Sequence, residues 1–235
     1  MRRAAVLALL AFAGCAPREW TSAPSTPRAE ATVARVDEAH LARVPPGAFA
    51  PVSAAREEVH DASDERMRAE QRLTLASRAI AVAAERVEAA RAQRAVARAE
   101  ADLARATGDR DRIEAASAGV ARADAAIAAA EARLEHARLA REERALVAEV
   151  AKRREEAARA RLEIAKLEAL RAAGDAAYES YDPAAFDAAL SRANAAVDRA
   201  LARLEAHGAK LADAAERVRR AEALLDEKQP VKGQH

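Results

Sequence analysis

Large apolar residues recur every seven positions along three stretches of the chain. In the first two stretches they are Val59, Leu73, Ile80 and Val87, followed by Ile113, Val120, Ile127 and Leu134. In the third stretch they are Leu190, Val197, Leu204, Leu211, Val218 and Leu225. Alanine occupies most of the positions three residues after each of these. Two apolar rows with this spacing are typical of α-helical coiled coils, so the sequence predicts an all-α protein.

Helix breakers divide this pattern into three helices. Ser53 is a predicted N-cap, Gly108-Asp109 interrupts the pattern, and Gly174 is a natural helix end. Asp182-Pro183 then provides an N-cap and a proline at the first helical position. The predicted helices cover residues 53–107, 109–173 and 183–227.

The large and small seam residues also predict how the helices pack. If the chain turns at Gly108, antiparallel partners have residue numbers that add to about 217, and large residues then face small ones. This register sets Ile127 opposite Ala90 and Val87 opposite Ala130. A second turn near residue 178 continues the pattern. We therefore expect an elongated antiparallel three-helix coiled-coil bundle; the alternative is one very long helix that runs straight through Gly108 and dimerises.

The composition supports long helices and argues against a thick globular core. Alanine makes up roughly a third of the chain, a share typical of coiled coils. Aromatic residues are 3% and charged residues 33%, with a formal net charge of +1. The positive and negative charges are interleaved, so no basic stripe is available for a nucleic acid. We expect no nucleic-acid partner.

The N-terminus has the pattern of a secretory signal. Arg2 and Arg3 precede an apolar run from Ala4 to Ala13, which has the length of a signal-peptide core. A helix that crosses a bilayer needs about 20 residues, so this run is too short to span one.

The segment Phe12-Ala13-Gly14-Cys15 resembles the lipobox of bacterial lipoproteins, although that family usually has leucine where Phe12 stands. The resemblance implies that residues 1–14 are a signal peptide that is removed. It also implies that Cys15 is lipidated and that palmitate-type acyl chains anchor the protein in one leaflet. The residue after the cysteine, Ala16, is not the aspartate that favours inner-membrane retention, so the outer membrane is favoured over the inner. The alternative is an ordinary signal peptide that contains a cysteine.

These features predict the domain organisation. Residues 15–52 would hold the lipidated cysteine, a disordered proline-rich tether and a short helix near 29–43. Residues 53–227 would form the helical coiled-coil domain. Residues 228–235 would form a disordered tail.

Few residues of the mature chain suggest chemistry. Glu57 and His60 have the spacing of a di-iron motif, but no second such pair accompanies them. We therefore predict no metal, cofactor, catalytic residue or small-molecule substrate. Four polar residues fall at seam positions, where they either reach solvent or set the register: Arg66, Arg94, Glu143 and His207. Tyr178, Tyr181 and Phe186 cluster at the second turn, either as a cap on the bundle or as a partner contact.

The expected function is that of a non-enzymatic, lipid-anchored envelope protein facing the periplasm. It would act as a structural spacer or as a coiled-coil scaffold that binds a protein partner or itself. The alternative is an accessory subunit of an envelope transport or secretion complex. Exposed heptad leucines on a third helix face would favour this accessory subunit, whereas a fully satisfied bundle would favour the spacer.

Overall fold

The computed structural model describes residues 34–228. The predicted signal peptide, the lipobox with Cys15, the proline-rich tether and the tail beyond Lys228 lie outside these residues. Within 34–228 the fold is all-helical and no strand is present. Its α-helices are α1 (Glu38–Leu41), α2 (Ala50–Thr107), α3 (Arg110–Ala173) and α4 (Pro183–Glu227), with short 3₁₀ turns at Pro46–Ala48 and Ala176–Ser180.

The three long helices pack against each other, with α3 in contact with both α2 and α4. This confirms the prediction of an all-α fold with three long helices. Among residues 34–228, no helix is both long enough and apolar enough to cross a membrane.

The first break in the heptad pattern is a true helix end. Gly108 has a φ of +70°, a left-handed conformation that glycine adopts without the steric cost of a Cβ atom. The carboxylate of Asp109 then accepts hydrogen bonds from the backbone N–H groups of Asp111 and Arg112, at 3.1 and 3.3 Å. Because α2 ends here and packs against α3, the alternative of one straight helix through Gly108 is wrong.

The start of α2 differs from the predicted position. The helix begins at Ala50, not after Ser53, and Pro51 lies within its first turn. The N–H of Ser53 donates to the Phe49 carbonyl at 3.1 Å, so Ser53 is already inside the helix. A proline is tolerated in the first turn because the N–H that it lacks would have no helical partner there.

Two hydrophobic clusters hold the helices together. One lies between α2 and α3 and consists of Val87, Ala90 and Ala130, with Ile127 and Leu134 packed against them. These residues include the members of two of the predicted large-to-small pairs, Ile127 with Ala90 and Val87 with Ala130. The cluster is small because alanine contributes little apolar area.

The larger cluster lies where α3 ends, and it includes chain that the sequence assigned to a tether and short helix. Val36, Leu41 and Val44 are buried there with Leu170 of α3 and Phe186 of α4. Of the short helix expected near 29–43, the described residues contain α1 at Glu38–Leu41. The segment from Ala34 onward is therefore part of the packed fold.

Candidate interaction surface

One face of α2 carries a third row of apolar residues. The row consists of Leu75, Val82, Ala89, Val96 and Leu103, each seven positions from the next. We call this row the α2 stripe. Its four larger members are 60%, 49%, 59% and 69% exposed in chain order, and Ala89 is exposed as well. Scattered exposed apolar residues are normal, but a continuous row at heptad spacing is a pattern of helix pairing.

The stripe lies outside the seam that α2 forms with α3. Each stripe residue comes two positions after a seam residue, as Ala89 follows the buried Val87. Two residues correspond to about 200° of turn around an α-helix. The seam and the stripe share the seven-residue repeat, so the stripe keeps a constant angle to α3 along its length.

The same row continues toward the N-terminus of α2 with charged residues. Asp61 and Arg68, at two earlier heptad positions, line open grooves where α2, α3 and α4 come together. The row therefore changes from charged to apolar at Leu75. The apolar part is confined to the half of α2 that leads to Gly108.

Helix α4 ends near the middle of the stripe. Glu222, five residues before the end of α4, accepts a hydrogen bond from Arg133 of α3 at 2.8 Å. Two residues earlier in α3, Glu131 pairs with Arg91 of α2 at 2.9 Å. Arg91 is adjacent in sequence to the central part of the stripe, so Val96 and Leu103 lie beyond the reach of α4.

Ion pairs connect α2 to α3 along most of their length. Arg66 pairs with Glu155 at 3.0 Å, and Arg94 pairs with Asp124. In both pairs the arginine Nε is buried and has no hydrogen-bond partner, so the interaction is a charge pair. The two seam arginines are thus each matched by a carboxylate of the neighbouring helix. The third charged seam residue, Glu143, lies 3.9 Å from Arg144 on the same helix.

Glu155 is the most deeply buried charged residue among residues 34–228, at 2% exposure. In addition to Arg66, it pairs with Arg159 one turn further along α3. A buried carboxylate is costly unless it is paired and hydrogen-bonded. Both arginines pair with this carboxylate, and Arg159 also donates a hydrogen bond to it.

His207 of α4 makes a buried contact with α3. Its Nε2 lies 2.9 Å from the carbonyl oxygen of Leu139, and because a carbonyl only accepts, the ring nitrogen is the donor. The side chain is 7% exposed. At its seam position, His207 therefore forms a hydrogen bond between α4 and α3.

A polar network fixes the N-terminal segment to the end of α3. The buried ammonium of Lys166 pairs with Glu163, at 2.8 Å, and with Glu38. Glu163 also accepts a hydrogen bond from the N–H of Val36 at 2.7 Å. The hydrogen bond from Lys166 lowers the pKa of the Glu38 carboxyl, an effect that partial burial opposes and that Arg56 reinforces. This network ties the start of the described chain to α3 by charge as well as by packing.

The aromatic residues at the second turn form a cap on this end of the bundle. Tyr181 contacts Phe186 edge to face, with ring centroids 6.0 Å apart, and its hydroxyl lies 3.1 Å from Nδ1 of His40. Phe186 is 3% exposed. In the structure these residues therefore form a cap on the end of the bundle, the first of the two alternatives given by the sequence.

The residues that suggested a metal site do not converge. Glu57 and His60 are both exposed. Among residues 34–228 no group of three or more histidine, cysteine, aspartate or glutamate side chains is placed to hold a metal ion. The grooves between the helices are open; the groove beside Asp61, about 650 Å³ in volume, is lined by alanines as well as by the ion-paired Arg154 and Arg161.

The lipidation residue Cys15 lies outside the described residues, so its environment stays a prediction. Sequence reasoning concentrated on the two seam rows and missed the α2 stripe. The signal was present as a third row with the same seven-residue spacing. A search for heptad repeats in every phase of α2 would have found it.

No protein-family model, curated protein or solved structure matches this chain.

Proposed function

We propose that this chain is a non-enzymatic, lipid-anchored protein of the bacterial cell envelope whose helices serve as a coiled-coil interaction scaffold. The observation that carries the proposal is the α2 stripe, an uncovered apolar row at heptad spacing. Burial of apolar area drives helix association, and an exposed row of this kind is stabilised by a further helix.

The scaffold itself would be an antiparallel coiled coil. The ion pairs between α2 and α3 support this arrangement, because residue numbers rise along α2 as they fall along α3: Glu58 with Arg161, Arg66 with Glu155, Arg91 with Glu131 and Arg94 with Asp124. The large-to-small packing of Val87, Ala90, Ile127 and Ala130 in one cluster supports the same register.

The exposed stripe favours a scaffold over a simple spacer. A spacer needs no uncovered apolar row, since its helices can satisfy each other completely. A helix from another protein could lie along the stripe by coiled-coil pairing. This is also the observation that favours the second candidate, an accessory subunit of an envelope transport or secretion complex.

The anchor rests on the lipobox-like segment Phe12-Ala13-Gly14-Cys15 and on the charged and apolar segments that precede it. Two acyl chains inserted in one leaflet would hold the protein at the membrane stably. The body that begins at Ala34 would then face the periplasm, and Ala16 favours the outer membrane.

The test of the anchor is metabolic labelling with palmitate, followed by fractionation of cell envelopes. The wild-type chain should take up label and sediment with membranes, and Cys15→Ser should lose both properties. Phe12→Leu, which restores the usual lipobox residue, is the matched control and should keep the label. Label that persists in Cys15→Ser, or a wild-type chain found in the soluble cytoplasmic fraction, would contradict the proposal.

A further inference from the structure

We infer that the occupant of the α2 stripe is a second copy of this chain, paired antiparallel about a two-fold axis at Ala89. The inference rests on the proposed scaffold role and names the partner. Four features of the described residues support it: the order of residue sizes, the position where α4 ends, the charges beside the stripe and the area available.

The order of residue sizes in the stripe is the same in both directions. It runs leucine, valine, alanine, valine, leucine from Leu75 to Leu103. An antiparallel pair centred on Ala89 places Leu75 beside Leu103 of the second copy and Val82 beside Val96. In a two-fold contact each pair of positions occurs twice, so this order places leucine beside leucine and valine beside valine at both ends of the contact, whereas a different partner would need no such symmetry.

The end of α4 favours the antiparallel orientation. Near the middle of the stripe, Arg91, Glu131, Arg133 and Glu222 link α2, α3 and the last turns of α4. In each copy α4 therefore runs alongside one half of the stripe and ends before the other half. In an antiparallel pair, the half of the stripe that extends beyond α4 in one copy lies beside the half that α4 flanks in the other copy. The two α4 helices then lie one after the other along the dimer, with little overlap.

The residues that flank the stripe bring no like charges together in this register. Each charged flanking residue of one copy falls beside an uncharged residue of the other. The pairs are Arg78 with Ala99, Glu85 with Ala92, Arg86 with Gln93, and Glu100 with Ala79. Opposed like charges would weaken the contact, and here they are avoided at all four positions.

The area of the contact indicates a weak dimer. The 29 residues from Leu75 to Leu103 span about 42 Å of helix, and a helix is about 10 Å wide. The two copies together would bury about 800 Å², below the roughly 1,200–2,000 Å² of stable complexes. We therefore expect a dissociation constant of about 10–100 μM, a concentration that a shared membrane surface readily exceeds locally.

The orientation is tested by crosslinking the full-length chain in which Cys15→Ser removes its single cysteine. Ala89→Cys should crosslink to itself with a short bismaleimide. Leu75→Cys alone and Leu103→Cys alone should not crosslink, because the same position in the two copies is about 42 Å apart. A mixture of the two variants should crosslink. Self-crosslinking of Leu75→Cys would indicate parallel pairing and overturn the inference.

The surface is tested by sedimentation equilibrium. Val96→Glu introduces a charge twice per dimer and should weaken association at least about 10-fold. The matched control is Ala95→Glu, an exposed neighbour on another face of α2, which should leave it unchanged; circular dichroism checks that both variants stay helical. A chain that is monomeric at about 500 μM, or Val96→Glu that dimerises like wild type, would overturn the inference. A crosslink in cells from residue 96 to a different protein would overturn the second copy as the partner while leaving the scaffold role intact.

Discussion

Neutralising Glu155 should destabilise the α2–α3 pair more than neutralising the residue next to it. Glu155 is buried against Arg66 of α2 and Arg159 of α3, whereas the adjacent Glu156 is a partly exposed residue that pairs with Arg153 at 2.9 Å. The substitutions Glu155→Gln and Glu156→Gln change the same group by the same few atoms. Only the first removes a buried charge that joins two helices.

The structure sets the size of the expected effect. Breaking a fully buried ion pair costs about 3–5 kcal/mol, because the remaining charge is left without a partner. The side chains of Arg66 and Arg159 are 34% and 61% exposed, so water can solvate them and reduce this cost. We expect Glu155→Gln to lower the free energy of unfolding by about 1.5–3 kcal/mol, the range for hydrogen bonds to charged groups. Glu156→Gln should lower it by less than about 1 kcal/mol.

Urea unfolding followed by circular dichroism at 222 nm measures both variants. The difference between them should persist at high salt, because a buried pair is screened less than an exposed one. The double variant Arg66→Leu with Glu155→Leu should recover most of the lost stability, since apolar replacement of both partners is often neutral or stabilising. Equal, small losses in Glu155→Gln and Glu156→Gln would refute the view that this pair is energetically buried.

Three further predictions follow from other parts of the fold. Gly108→Ala should lower the free energy of unfolding by about 1 kcal/mol because Gly108 has a positive φ. Gly119→Ala should raise the free energy of unfolding by about 0.5–1 kcal/mol because Gly119 lies inside α3 with open space around the added Cβ. Thermal melts of the two variants check both signs. Lys166 holds the pKa of Glu38 below its usual 4.5, so this contact stabilises the protein above pH 4.5 and its contribution is lost as the pH falls through the lowered pKa. In urea titrations, wild type should therefore exceed Glu38→Gln at neutral pH and match it in strong acid; a constant difference would argue against the contact. His207→Leu should cost about 0.5–1.5 kcal/mol by removing one inter-helix hydrogen bond, and urea unfolding that shows no loss would contradict that assignment.

The sequence predicts the long helices well because their signals are local. The heptad rows, Gly108 and Gly174 act within a few residues of where each helix forms or ends. Val87 and Ala130, which the predicted register sets opposite each other, also lie in one hydrophobic cluster.

Other features depend on residues far apart in sequence, and the sequence does not predict them. The N-terminal segment packs on α3 because Glu163 binds the N–H of Val36, 127 positions earlier. The sequence places Arg66 at a seam position but does not show whether its side chain reaches solvent or sets the register. Its partner Glu155 becomes evident only once α3 lies beside α2. The α2 stripe was missed because its residues fall outside the two rows that form the seam.

The most direct test of the scaffold role is site-specific photo-crosslinking in intact cells. A photoreactive amino acid would replace Val96 of the stripe in the full-length chain, and in a control it would replace Ala95 on another face of α2. We expect a discrete protein adduct, recovered from the envelope fraction, from position 96 and none from position 95. The absence of any adduct from position 96, or equal adducts from both positions, would contradict the claim that the α2 stripe is an interaction surface.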